Sequence, residues 1–190
     1  EYFYKRGCSA LADSKSDSII DGHFATNPAV IPLDNALWQY ACQVYSQAGV
    51  EATLLNLQDE QGADINLILQ ALWLANKGIE WTSACIPHDY NKWVEEQVIP
   101  IRTMRRRLKT DWVGLHGEGY EDFRQQVKKL ELKAEQYALA MLFVQSEAKT
   151  NRFREKDKKG SAFLAEKNLK QLGENMNILP EYFELLIAAL

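Results

Sequence analysis

The segment LQDEQGADINLILQALWL, residues 57–74, places the strictest limits on what this chain can fold into. Its polar first part ends at Gly62, and Asp64 stands directly before a run in which most residues are apolar. An aspartate in this position is typical of a helix N-cap, whose carboxylate accepts hydrogen bonds from the first backbone N–H groups. A helix that is apolar on most sides lies at the centre of a fold. The segment therefore predicts a central helix that begins after Asp64 and ends near Lys77.

Apolar residues recur at helical spacing on both sides of this segment. Helices are predicted over residues 37–48 and 50–61. After the central helix, a further helix is predicted to open near Pro87 and to reach Leu108. A kink or short break is expected at Pro100, because proline removes one backbone donor. The side chains that we expect to face inward on this helix are Trp93, Val94, Gln97, Val98, Ile101, Met104 and Leu108.

The clearest periodicity lies in the second half of the chain, where apolar residues alternate steps of three and four. This pattern predicts a long helix that lies along another helix, as in a bundle or coiled coil. Shorter helices are predicted over residues 161–172 and 180–190, and no segment shows the alternation of a strand. The residues of the long apolar seam are Tyr120, Phe123, Val127, Leu130, Ala134, Tyr137, Met141 and Val144.

The predicted fold class is all-α, a compact helical bundle with a long C-terminal helix and a poorly structured N-terminal segment. The chain of 190 residues suits one domain with appendages. Residues 1–32 are polar and aperiodic, and we interpret them as an extension that is flexible or not native. Residues 33–110 form the predicted helical core, and residues 111–190 supply the helices that complete the bundle.

Composition favours a protein of the cytoplasm. The three cysteines, Cys8, Cys42 and Cys85, have no metal-ligand or redox spacing, so we expect a reducing compartment. Cys42 is interpreted as a small buried apolar residue. No apolar run reaches the roughly 18 residues of a membrane span, so no membrane association is expected.

The search for a catalytic or metal-binding motif is negative. The sequence contains no phosphate-binding glycine loop, no nucleophile elbow and no HExxH zinc motif. Asp59, Glu60 and Asp64 lie close together, but a calcium loop needs a longer spaced pattern that ends in Glu. Capping alone explains Asp64. We therefore expect no cofactor and no metal, and an enzyme remains possible only as an unrecognised type.

The strongest electrostatic feature is a basic stripe on the helix after Pro87. Residues 1–100 carry 5 Lys/Arg against 13 Asp/Glu, whereas the remaining 90 residues carry 17 against 13. The stripe either pairs with the chain's own acidic residues, for instance Glu95 or Glu96, or contacts the phosphates of a nucleic acid or an acidic protein. Both interpretations stay open. Its residues follow helical spacing: Arg102, Arg105, Arg106 and Lys109.

Two tryptophans, Trp81 and Trp112, fall in predicted loops. If both are exposed, they are candidate anchors for a protein partner, because interface hot spots favour Trp and Arg. The other three tryptophans lie on apolar helix faces, where core tryptophans are common.

Several short motifs together resemble a known family. They are Trp38 with Tyr45, Gly49-Val50, LQD at residues 57–59, GADIN at residues 62–66, and Trp73-Leu74. Over residues 33–109 the chain resembles a proteobacterial family called domain of unknown function 2390. Members of that family begin near the position of Leu33, so the preceding residues are a departure. The resemblance implies a small, cytoplasmic, bacterial and helical protein, and it implies no activity, ligand or catalytic residue.

These observations favour a non-enzymatic helical module that binds a protein partner or self-associates. The long apolar seam carries this hypothesis, because it needs a surface to pack against. The alternative is a nucleic-acid-associated accessory or regulatory factor that uses the basic stripe, and the third possibility is the unrecognised enzyme.

Overall fold

The computed structural model describes residues 31–112, 114, 117–150 and 161–188. No strand occurs among these residues, and the all-α prediction is confirmed. The expected extension, residues 1–32, lies almost entirely outside the described residues. The helices are α1 Ala36–Ser46, α2 Val50–Gln61, α3 Ile65–Asn76, α4 Tyr90–Trp93, α5 Ile99–Thr110, α6 Glu118–Thr150, α7 Ser161–Met176 and α8 Glu184–Ala188; Ser83–Cys85 and Pro180–Phe183 are 3-10 turns.

Helix α3 is central, as predicted. Every residue from Ile65 to Ala75 is buried. Helix α7 makes the most extensive contact with α3, and α1 and α6 also pack on it. The helix begins at its predicted cap, where Asp64 Oδ1 accepts from the backbone N–H groups of Asn66 at 2.9 Å and Leu67 at 3.4 Å. The predicted bounds of α2 are also confirmed, whereas α1 ends two residues earlier than predicted.

A buried polar network ties α3 to the segments around it. Gln70, at the middle of α3, donates through Nε2 to the carbonyl of Cys85 at 3.0 Å and to Ser146 Oγ on α6 at 2.9 Å. Its Oε1 accepts from Trp81 Nε1 at 3.2 Å. A buried amide must satisfy both its donors and its acceptor. Gln70 therefore holds the loop after α3 and helix α6 in register.

Asn168 on α7 completes the same network from the opposite side. Its Oδ1 accepts from the backbone N–H of Trp81 at 2.8 Å. Its Nδ2 donates to the carbonyls of Ala71 and Ile79, each at 3.0 Å. Both backbone carbonyls and the N–H are thus satisfied in a place that water does not reach.

The helix predicted to kink or break at Pro100 instead widens just before it. A π turn over Val94–Val98 joins α4 to α5, and Ile99 N–H donates to the carbonyl of Val94, five residues earlier. Such a turn accommodates the carbonyl that would otherwise point at the missing N–H of Pro100.

The inward face predicted for this helix is wrong in part. Val98 is buried, but Gln97 and Met104 are exposed and α5 contains no buried residue. Helix α5 is short and mostly polar, so its few apolar residues did not show which side would pack inward. The contact with α6 is made instead by arginines, Arg102 and Arg105, which pair with Glu131.

The seam predicted along α6 also divides between two environments. Val127 and Ala134 are buried, and Tyr120 and Met141 are half-buried, whereas the other four residues of the seam are exposed. The core face of α6 includes Ala138, Leu139 and Leu142. The periodicity predicted the long helix correctly but not its buried side. A straight helix rotates by about 20° per heptad against a seven-residue repeat, so residues seven apart do not keep facing the same neighbour along a long helix. Exposed fractions are 48% for Phe123, 55% for Leu130, 37% for Tyr137 and 40% for Val144.

The two cysteines that the structure describes both lie against the core. Cys85 is a free, buried thiol. Cys42, on α1, is half-buried and disulfide-bonded, so it is more than a small buried apolar residue. The reducing compartment stays a prediction.

Substituting Gln70→Ala is expected to lower the free energy of unfolding by about 3 kcal/mol. The change leaves Trp81 Nε1 without its acceptor, and it removes the donor that the Cys85 carbonyl uses. Denaturant unfolding followed by circular dichroism measures the effect. Gln43→Ala, at an exposed position on α1, is the matched control and should be close to neutral. Equal effects of the two substitutions would show that the network does not stabilise the fold.

Candidate functional site

Helices α5 and α6 form an antiparallel hairpin on the side of the bundle. At one end Trp93 Nε1 donates to the carbonyl of Ala134 at 3.0 Å, and at the other the Tyr120 hydroxyl donates to the carbonyl of Leu108 at 2.6 Å. Position 93 thus faces the middle of α6 and position 108 faces its beginning. The three arginines of the basic stripe lie between these two contacts, and Lys109 directly follows the second.

Two arginines of the stripe, Arg102 and Arg105, contact carboxylates of α6. Arg102 Nη2 donates to Glu135 Oε1 at 2.6 Å, and Arg102 Nε donates to Glu131 Oε1 at 3.3 Å. Arg105 pairs with the same Glu131, whose side chain is 2% exposed. The pairing partners therefore come from a helix 26 to 33 residues away, and not from Glu95 or Glu96.

The other two residues of the stripe lie nearer solvent. Arg106 pairs with Asp59 of α2, and both side chains are half exposed. Lys109 is exposed near the end of α5. Three of the four residues predicted to contact an anion thus face carboxylates of this chain, and contact with an external anion stays a prediction.

Between α1, α2 and the hairpin, a small polar cavity lies beside this cluster. Its volume is about 20 Å³, which is room for one water molecule. Within the described part of the chain, no group of three or more His, Cys, Asp or Glu is placed to hold a metal ion. The cavity is lined by Tyr45, Gln58, Asp64, Ile65, Asn66, Arg102 and Glu135.

Burial perturbs several of these groups. Desolvation raises the pKa of Asp64, although hydrogen bonds from the Tyr90 hydroxyl and from two backbone N–H groups oppose the shift. Desolvation likewise raises the pKa of Glu135, against the charge of Arg102. The pKa of Tyr45 is raised mainly by burial. For Arg102, burial would lower the pKa, but the nearby Glu135 and Glu131 outweigh it and the pKa is raised.

Perturbed pKa values mark catalytic sites as well as structural ion pairs, and the contacts of Asp64 favour a structural role. One of its oxygens caps α3 and the other accepts from the Tyr90 hydroxyl at 2.9 Å. A general base needs an oxygen within reach of a substrate proton. The cavity beside Asp64 has room for one water molecule only. We therefore assign this carboxylate a structural role, in which it stabilises the junction of three helices.

The cavity brings together residues that sequence reasoning treated separately. Tyr45, Gln58, Asp64 and Asn66 come from the short motifs that carried the family resemblance, and Arg102 comes from the basic stripe. The carboxylates of Glu131 and Glu135 were missed. The sequence does contain a signal for them. Glu131 and Glu135 are four positions apart, so they share one face of the long helix, and they stand beside apolar positions that pack inward.

The two tryptophans proposed as partner anchors have different environments. Trp81 is 1% exposed, and its ring nitrogen donates to Gln70 inside the core. The condition that both tryptophans are exposed is therefore not met, since the buried network needs the indole N–H of Trp81. Trp112 is 53% exposed just after α5, and a role for it as a partner anchor stays a prediction.

The exposed part of the α6 seam forms a row along the helix, which we call the apolar stripe: Phe123, Leu130, Tyr137 and Val144. Residues seven apart lie on one side of a helix. The ring of Tyr137 lies 5.1 Å from that of Trp93, so the stripe borders the hairpin. On α5, Met104 is 49% exposed.

A sequence profile described as "Protein of unknown function (DUF2390)" matches residues 36–142. This range is more than half of the chain. The chain belongs to the DUF2390 family. The match extends beyond position 109, where we expected the resemblance to end, and it includes the hairpin and most of α6. No curated protein and no solved structure matches the chain. Within the described residues, no helix has both the length and the apolar character needed to cross a membrane.

Substituting Asp64→Asn is expected to maintain or raise stability at neutral pH, because asparagine also caps helices and carries no charge to desolvate. The raised pKa means that the folded chain binds this proton more tightly than the unfolded chain. Ionisation therefore lowers stability as pH rises from about 4 through the folded pKa. Thermal unfolding across this pH range should show a smaller decline for Asp64→Asn than for the unsubstituted protein.

Two controls accompany the Asp64 variant. Asp64→Ala loses the cap and should be less stable than Asp64→Asn by about 1 kcal/mol. Asp34→Asn removes a charge at an exposed position and should leave the pH dependence unchanged. An Asp64→Asn protein whose stability falls as steeply with pH as that of the unsubstituted protein would contradict the effect of burial.

Substituting Arg102→Ala is expected to lower the free energy of unfolding by about 3 kcal/mol, because it leaves two buried carboxylates short of a cation. Arg106→Ala removes a half-exposed pair and should change it by less than about 1 kcal/mol. Urea unfolding of both variants measures the difference. A similar small effect for both would show that the α5–α6 pairing does not hold the hairpin.

Proposed function

We propose that this protein is a non-enzymatic helical interaction module that docks a protein on the apolar stripe of α6. The observation that carries the proposal is the exposure of four large apolar side chains on one side of a single helix. They are between 37% and 55% exposed. Isolated apolar residues at a surface are ordinary, but four on one side of a single helix favour an interaction surface.

The geometry of the stripe suits a helical partner. Apolar side chains at seven-residue spacing are the pattern that two packed helices bury between them. The stripe is also well held. Arg102 and Arg105 attach α5 to the buried Glu131, and Trp93 bonds to the backbone of α6. A surface fixed before binding loses less conformational entropy on association.

The alternative role in nucleic-acid binding has weaker support. A phosphate that binds Arg102 or Arg105 would compete with a carboxylate that is already buried against it. The three arginines face three acidic side chains, so the stripe carries little excess charge for the counterion release that governs such binding.

An enzymatic role for the cluster around Asp64 has weaker support too, because the cavity there is smaller than the sites that hold substrates. The bacterial origin and the cytoplasmic location expected from the sequence stay predictions.

Photo-crosslinking tests the proposal. A benzophenone amino acid placed at position 130, in the middle of the stripe, is expected to give a protein adduct in cells of the source or in their lysate. The control places the same amino acid at position 170, which is exposed on α7, and should give none.

Mass spectrometry of the adduct identifies a second copy or another protein, and either result supports an interaction module. An adduct that disappears on nuclease treatment would move the function to nucleic acid. No adduct at position 130 would contradict the proposal.

A further inference from the structure

The charged residues beside the apolar stripe follow a definite order along α6. Acidic residues come first, a neutral glutamine follows, and two lysines come last. All of them are exposed, so their charges are open to a partner. In chain order they are Glu118, Asp122, Gln126, Lys129 and Lys133.

This order is complementary to itself when the helix is reversed. A two-fold axis near Gln126 brings Asp122 close to Lys129 of a second copy, and Lys129 close to the Asp122 of that copy. The same operation brings Phe123 close to Leu130, again twice. Contacts that repeat in this way are the mark of a two-fold interface, in which both subunits use the same surface.

We propose that the first half of the apolar stripe docks on the same half of α6 in a second copy of this chain, with the two helices antiparallel. This inference rests on the proposed function and names the partner. Phe123 and Leu130 supply the apolar contact, and the Asp122–Lys129 pairs fix its direction. Glu118 and Lys133 extend the same order of charge along the flank.

The charges favour the antiparallel orientation. In a parallel two-fold pair, the flank that carries Asp122 and Lys129 faces the other flank of the partner helix, so these two residues do not pair with each other. The antiparallel arrangement brings this flank against the same flank of the second copy, where Asp122 and Lys129 attract each other.

The local contacts of these residues are compatible with docking. Asp122 Oδ2 accepts from Gln126 Nε2 at 2.7 Å, and Lys133 Nζ donates to Gln136 Oε1 at 3.3 Å. Both contacts join a charged group to a neutral amide within one turn of α6. They orient the side chains without neutralising their charges. The pair of Arg124 with Glu121 lies on another side of the helix.

Exchanging the two charges tests the inference on the full chain. Asp122→Lys and Lys129→Glu each place like charges together twice in the dimer. Each variant should weaken self-association by about 10- to 30-fold, measured by sedimentation velocity over a range of concentrations. The double variant should return to the affinity of the unsubstituted protein. An equimolar mixture of the two single variants should also associate, because each restores the opposite charge to the other.

Control measurements keep the result unambiguous. Circular dichroism should show the same helix content and melting temperature for all four proteins, since both positions are exposed. Gln125→Glu, an exposed change on α6 away from the stripe, should leave the affinity within about two-fold. High salt should weaken the unsubstituted dimer and bring its affinity close to that of the single variants.

A protein that stays monomeric at every concentration would overturn the inference. So would a mixture of the single variants that associates no better than either alone. If position 130 crosslinks to a different protein while the charge exchange has no effect, the interaction module stands and self-docking fails. If position 130 gives no adduct, the interaction module itself fails.

Discussion

The complete burial of α3 is the constraint on which the rest of the structure depends. A helix without an exposed side needs neighbours all round, and α1, α6 and α7 supply them. Burial also leaves Gln70 and the loop around Trp81 without water, so their polar groups must be satisfied within the protein. Gln70 and Asn168 do this, and in doing so they fix where α6 and α7 lie against α3.

The α5–α6 hairpin is attached by a different kind of interaction. Helix α5 buries no side chain of its own, so apolar packing contributes less there than in the core. Arg102 and Arg105 instead neutralise the buried Glu131, and the desolvated charge makes separation of the two helices unfavourable. The cluster continues through Glu135 to the cavity beside Asp64, the cap of α3. The central helix and the hairpin are thereby joined through one set of charges.

Local features of the fold were predictable from the sequence, and long-range features were not. The cap at Asp64 and the bounds of α2 depend on a few adjacent residues, and both were found. The buried side of α6 depends on which helices pack against it, so the repeat alone did not identify Leu130 as exposed. The pairing of Arg102 was missed for a similar reason, because its carboxylates lie on the neighbouring helix. Trp81 was misplaced because nothing near it reveals its bond to Gln70.

The way in which α6 packs explains why its apolar stripe can stay exposed on a stable helix. The side of α6 that includes Ala138, Leu139 and Leu142 packs into the core, and the side with Glu131 and Glu135 holds α5. These two sides suffice to keep α6 in place, so Phe123 and Leu130 can stay about half exposed. The apolar area that folding leaves in water still gains free energy from burial in an interface. A second helix with matching charges is the surface on which they can do so.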